Sequence, residues 1–313
     1  MNNETSPLRK YYRQPKLELK LPTNGLWYDD SILELNQNAT VKILPMSGLD
    51  EIKAQTPELL AEAKFKYELI KSCVPEIKQP EKLCAIDVGS IMFGIHMATY
   101  GKNFRETFIC PHCLEKASKM SDEKRKLAEE NGQINLKEQK MEVSAQDIIN
   151  LSQYATTKDV FFEYEDLKIY LKPVEITIAD KMETEDFYHD MIENKLKEYQ
   201  NSDESNEEII KKVKSEIISI TDRIYENAVN MMIMYVDYIE MSDGTKITDR
   251  DEISDFVKNS PQKLYDLIKD TRDNAFGKLG LPLNYKVACN CCGQLVDINT
   301  SFFNPTNFFD IAS

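Results

Sequence analysis

The sequence predicts an α+β chain that is predominantly helical, with small β elements and a split four-cysteine knuckle pair. Three observations point there. Cys110–Pro111–His112–Cys113 and Cys289–Asn290–Cys291–Cys292 each hold two thiols three residues apart. Short alternating segments such as Leu17–Lys20 read as half-buried strands. Between them lie longer stretches with apolar residues at helical spacing.

An i, i+3 cysteine pair lets one tight turn aim both sulfurs at one tetrahedral ion, and two such turns make a four-cysteine zinc site. Gly293 follows the second pair, where a positive φ suits the turn. The expected ligands are Cys110, Cys113, Cys289 and Cys292, with the zinc structural, because four thiolates leave no open position for water. Residues 114–288 must then leave the site and return to it, far more than the roughly 15–20 residues of a compact ribbon. The bland alternative is four unligated thiols. Cys291 and His112 are spare donors inside the knuckles, and Cys73 and Cys84 read as buried structural thiols.

Composition narrows the function. Hydrophobic residues make up 42% and charged ones 29%, ordinary values for a globular protein with room for one or two cores. A net charge of −14 argues against a general nucleic-acid binder, which needs a basic surface. Seven cysteines, an odd number with four in knuckles, suit a reducing compartment better than a disulfide framework. The polar N-terminus shows no secretory signal, and no apolar run approaches the roughly 20 residues of a membrane span, so stable membrane insertion is not expected.

In chain order, residues 1–16 form a basic arm with Arg9, Lys10, Arg13, Lys16, Tyr11 and Tyr12. It is either a disordered tail or a segment that orders against an acidic neighbour. Leu17–Leu21 and Thr40–Leu44 read as paired strands, joined through a Pro22–Gly25 turn with positive φ at Asn24–Gly25. Ser47 or Asp50 caps a short helix. Thr56 and Pro57 open a second helix that runs towards Cys73, stopped by Pro75. Asp87 caps a third, with Ile91, Ile95 and Ala98 on its core side and Gly101 as C-cap. A strand over 104–109 enters the first knuckle.

Residues 121–280 read as a helical insertion with β-hairpins. It holds an exposed charged helix, an Asn131–Gly132 turn, a strand around 134–143 and a helix capped by Ser144. A hairpin over 161–171 turns near Glu165–Asp166. From Ala179 to Asp237 the pattern is helical, and the long helix over 207–236 carries a stripe suited to an intramolecular core or a coiled-coil face. A hairpin around Ser242–Gly244 follows, then Thr248–Asp251 as capping types, a short helix that Ser254 could cap, another opened by Ser260–Pro261, and a short element with two glycines over 274–280. Leu283–Ala288 and Leu295–Ile298 read as strands into and out of the second knuckle. Residues 17–120 and 281–300 are expected to form the core closed by the knuckles. The tail over 301–313 carries Phe302, Phe303, Phe308 and Phe309 and should dock on its own domain or on another subunit.

Catalytic motifs are missing from the sequence: no Gly-rich phosphate loop, no nucleophile elbow, no His-Glu-x-x-His. His96, His189 and acidic pairs such as Glu185–Asp186 lack a partner at readable spacing. No enzymatic activity is expected.

An ordered series of blocks resembles a known family. They are Leu21–Tyr28, Val41–Lys53, Thr56–Leu60, Ile70–Pro75, Ile86–Val88, Ala98–Gly101 and Cys110–Cys113. Together they are similar to the T-even-type bacteriophage base plate protein family and cover most of residues 17–115. Phe276–Gly277 and the second knuckle fit less specifically, and 116–145 and 200–255 do not align. The family usually has Gly after the first cysteine pair; here it is Leu114. The resemblance implies a non-enzymatic baseplate hub subunit or hub assembly protein of a contractile-tailed phage, assembled in the host cytoplasm and present in the virion tail baseplate. Its partners would be other hub and tail proteins, with self-association possible. The alternative class is a zinc-ribbon nucleic-acid-binding or regulatory protein, which a basic face confined to the ribbon would favour.

Overall fold

The computed structural model describes residues 7–34, 38–54, 64–101, 103–180, 215, 218, 226–282 and 284–299. Helices and small antiparallel sheets contribute side by side, and a cluster of four cysteines is present. Most of the expected helical stretch 179–236, the start of the helix opened by Thr56 and Pro57, and the Phe-rich tail lie outside the described residues.

The first core gathers around one helix. Strands β1 (Leu17–Lys20) and β2 (Thr40–Ile43) pair antiparallel, Leu17 opposite Ile43. Asn24 and Gly25 take the positive φ values, 51° and 69°, that the intervening turn requires. Helix α1 (Gly48–Ala54) follows, entered where Asp50 accepts from both the backbone and the hydroxyl of Ser47. Helix α2 (Lys64–Cys73) leads to α3 (Ala85–Tyr100), which is apolar nearly all round and is therefore buried. Ile91, Ile95 and Ala98 lie in its core, and Gly101 closes it with φ 110°. Gly94 lets α3 lie against β1 and β2; a Cβ there would collide with Ile43.

Asp87 does not cap α3. The N-cap is Cys84, and Asp87 sits in the first turn with its side chain turned into the core. There it accepts from the Thr23 backbone N–H at 2.9 Å, from the Thr23 hydroxyl, and from the Tyr28 hydroxyl at 2.6 Å. Tyr28 in turn accepts from the Cys84 N–H at 2.8 Å. One carboxylate thus ties the turn after β1 to the start of α3. Burial pushes Asp87 up to about 6, against the pull of the Thr23 and Tyr28 donors.

The basic arm also meets the body. Pro7–Tyr11 is a 3₁₀ turn, and Arg13 beyond it donates to the Pro45 carbonyl, to Asp50 at 3.1 Å, and to the carbonyl and hydroxyl of Ser72. Arg13 is therefore an internal clamp rather than part of a free arm. Burial tends to raise Asp50, but donation from Ser47 and Ser72 and the Arg13 charge hold it below its ordinary value.

The second core lies between a four-stranded antiparallel sheet and two helices. Strands β5 (Val160–Tyr164) and β6 (Leu167–Leu171) form the expected hairpin, with Glu165 at φ 56°. β7 (Val236–Glu240) and β8 (Lys246–Ile247) complete the sheet. Helices α7 (Arg250–Lys258) and α8 (Gln262–Phe276) bring Ile253, Val257, Leu264 and Ile268 against Ile169, Leu171 and Ile239. Three boundaries differ from the sequence reading. Val236 is the first strand residue, since β7 must begin there to pair with Leu171. Asp249 is the α7 N-cap, accepting from the N–H groups of Asp251 and Glu252, so Ser254 lies inside that helix. Of the element expected at 274–280, residues 274–276 are the last turn of α8 and Gly277 is its C-cap. Trp27 stands edge-on to Phe276 with centroids 5.8 Å apart, and so joins the two cores.

A carboxyl raised by burial holds its proton in the folded chain at pH values where the unfolded chain has lost it. Between about pH 4 and pH 6 that group costs stability as pH rises, and the cost is constant above. Wild-type stability relative to Asp87→Asn, measured by urea unfolding, is expected to fall across that window by on the order of 2–3 kcal/mol. Parallel profiles for the two proteins would contradict the assignment.

Candidate metal centre

The two knuckles are built differently. β3 (Asn103–Phe108) delivers the chain to Cys110, which is the N-cap of α4 (Pro111–Ser118). Pro111 takes the first helical position, where its missing N–H costs nothing. Cys113 is thus a first-turn helical residue, with the Leu114 N–H donating back to the Cys110 carbonyl at 3.1 Å. The chain continues as helix through Leu114, so no positive φ is needed after Cys113. The second knuckle is the tip of a hairpin. β9 (Asn284–Ala288) and β10 (Leu295–Asn299) pair with Ala288 opposite Leu295. Gly293 turns the chain at φ 70° and donates to the Cys289 carbonyl at 2.9 Å. This is the strand–knuckle–strand order expected of a ribbon half; the first half is a helix N-terminus instead.

The four thiols meet. Cys110 Sγ lies 3.7 Å from Cys292 Sγ, and Cys113 Sγ lies 3.9 Å from Cys289 Sγ. All four sulfurs fall within 4.8 Å of one another. A tetrahedral ion held by thiolates at about 2.3 Å has sulfur–sulfur edges of about 3.8 Å, so the donor set fits a single metal ion. The same spacings are far beyond a disulfide bond of about 2.05 Å. Cys110, Cys113 and Cys289 are buried. Ala117, Ala128, Ile134 and Val296 pack around them as a small core of their own. Ala128 and Ile134 come from the segment expected to begin the insertion, so α5 (Asp122–Glu130) and the turn after it belong to the metal centre's surroundings.

The spare donors point elsewhere. His112 is exposed and its Nε2 lies 3.3 Å from the Leu295 carbonyl. The Cys291 thiol donates to the Gly132 carbonyl at 3.1 Å. Cys73 and Cys84 are buried away from the cluster, as expected of structural thiols.

Electrostatics make the cluster hard to sustain as four bare thiolates. Burial pushes Cys113 up to about 12 and raises Cys110. Burial also works to raise Cys289, but N–H donation from Cys292, Gln139 and Cys291 brings it down to about 6. Four thiolates crowded together repel one another, and a divalent ion removes that repulsion.

The spacing of cysteines carries no sign of Gln139. This residue stands in the charged run Lys137–Lys140 and reads as surface, yet it is 5% exposed, with its amide against Cys289. It starts β4 (Gln139–Ser144), which runs into the short helix α6 (Ala145–Asn150), and β4 pairs with β3 so that Gln139 sits opposite Phe108.

Compared with protein-family models, curated proteins and solved structures, the chain matches none. Among the described residues, no helix is long and apolar enough to cross a membrane.

A centre that joins α4, the α5 turn and the β9–β10 hairpin should govern their local stability. Chelation of the bound ion is expected to speed amide hydrogen exchange in 110–130 and 284–299, while α3 (Ala85–Tyr100) keeps its protection. Unchanged exchange around the cysteines, or a uniform loss across the chain, would contradict this.

Proposed function

We propose that Cys110, Cys113, Cys289 and Cys292 hold one structural zinc ion, and that the protein works by binding other proteins rather than by catalysis. The observation that carries the first part is the closed set of four thiol donors at tetrahedral spacing. An all-sulfur tetrahedral site favours zinc over hard cations, and it leaves no position for a water or substrate. The zinc staples segments distant in sequence, giving a rigid body whose surface is available for assembly.

The setting we propose is the baseplate hub or tail of a contractile-tailed phage, as a virion component or assembly protein made in the host cytoplasm. Support comes from the ordered residue blocks across 17–115 alone. Within them Thr23, Tyr28 and Asp87 serve the joint between β1 and α3, so what those blocks support is a common architecture. Partners would be other hub and tail proteins or further copies of this chain. The net charge of −14 disfavours nucleic acid as a partner.

Two measurements test this. Native mass spectrometry should find one zinc per chain, lost in both Cys110→Ser and Cys289→Ser. Metal that survives either change would overturn the shared site. In lysates of infected cells the chain should co-sediment with tail or baseplate assemblies. A chain that stays apart from them throughout infection, or that is retained on DNA at physiological salt, would overturn the assembly role.

A further inference from the structure

The structure assigns Gln139 as a positioning residue of the metal centre: from the strand paired with the entry to the first knuckle, its side-chain amide reaches the second knuckle and donates a hydrogen bond to the Cys289 sulfur. This inference rests on the metal reading above and adds a group outside the four ligands. The backbone places it. Gln139 opens β4 opposite Phe108, two residues before Cys110, so it is fixed to the strand that enters the first knuckle. Its side chain reaches the second knuckle. Nε2 donates to Cys289 Sγ at 3.3 Å, while Oε1 accepts from the Asn290 N–H at 3.1 Å and lies 3.6 Å from the same sulfur.

The Asn290 contact settles which end of the amide faces the metal centre. A flipped amide would set its oxygen against the sulfur and its NH₂ against another N–H, losing both bonds. Cys289 Sγ also accepts from the Cys291 N–H at 3.4 Å. Two N–H donors on one sulfur draw charge off that ligand; one is fixed by β4 and the other is backbone of the second knuckle. Gln139 is buried, so its amide does not exchange these partners for water. Groups of this kind orient metal ligands and commonly set 10- to 100-fold in metal affinity.

The experiment uses the full chain. Zinc affinity is measured by chelator competition, and the cobalt(II) form reports sulfur electronics through its charge-transfer band. Gln139→Met keeps the length without a hydrogen bond; it is expected to bind zinc about 10- to 100-fold more weakly and to move the cobalt band to longer wavelength. Gln139→Glu keeps the acceptor for Asn290 but loses the donor and adds charge beside the thiolates, so it should bind no more tightly than the Met variant. Equal affinity and an unshifted band in both variants would overturn the assignment. The wild-type protein provides a second readout, independent of how the variants fold. Loaded with the NMR-active cadmium isotope, it should show scalar coupling between the Gln139 side-chain amide protons and the metal; no such coupling would overturn the assignment. A wild-type chain that binds no metal would fail the zinc reading itself, which differs from one that binds tightly with indifferent variants.

Discussion

The convergence of four cysteines from the two ends of a long excursion is the constraint on which the rest depends. Bringing Cys110 and Cys113 to Cys289 and Cys292 closes a loop spanning 114–288, and the entropy lost in closure grows only slowly with loop length. The harder cost is local. Three of the thiols are buried, and burial pushes Cys113 and Cys110 away from the thiolate form that binds metal. A divalent ion held there would reverse that balance, because it would neutralise the thiolates it gathers. Around the sulfurs the few apolar side chains Ala117, Ala128, Ile134 and Val296 form a core too small to hold three segments alone.

The other joints are polar and short in reach. Asp87 ties the β1 turn to α3 through Thr23 and Tyr28, and Arg13 ties the N-terminal segment to α1 and α2 through Asp50 and Ser72. Each places a charged group where it is largely or wholly removed from water, and in each the partners supply enough hydrogen bonds to hold it. Trp27 against Phe276 adds an apolar link between the first core and the sheet layer. The body is therefore joined by a few specific contacts between modest cores.

Local rules carried much of this in the sequence. Alternation found β1, β2 and the 160–171 hairpin, because one face of each is buried and the period is two. Gly101, Gly244 and Gly293 marked turns that do need positive φ. The cysteine spacing found all four donors. What escaped were residues whose role depends on a distant partner. Asp87 has the chemistry of a cap, and only the approach of Thr23 and Tyr28 turns its side chain inward. Arg13 reads as one cation of a basic arm until Ser72 and Asp50 arrive beside it. Gln139 sits in a charged run, and its burial follows from strand pairing with Phe108 rather than from its neighbours. Ser254 and Val236 were misplaced because helix and strand boundaries here answer to the Asp249 cap and to pairing with Leu171.

Extended X-ray absorption at the zinc edge of the purified chain tests the central claim most directly, because it counts and ranges the ligands of the bound ion. Four sulfur scatterers at about 2.3 Å, with no nitrogen or oxygen in the first shell, are the predicted result. A shell holding fewer sulfurs and a light-atom ligand would mean that His112, water or another group completes the site, and that the knuckles do not close on one another as described.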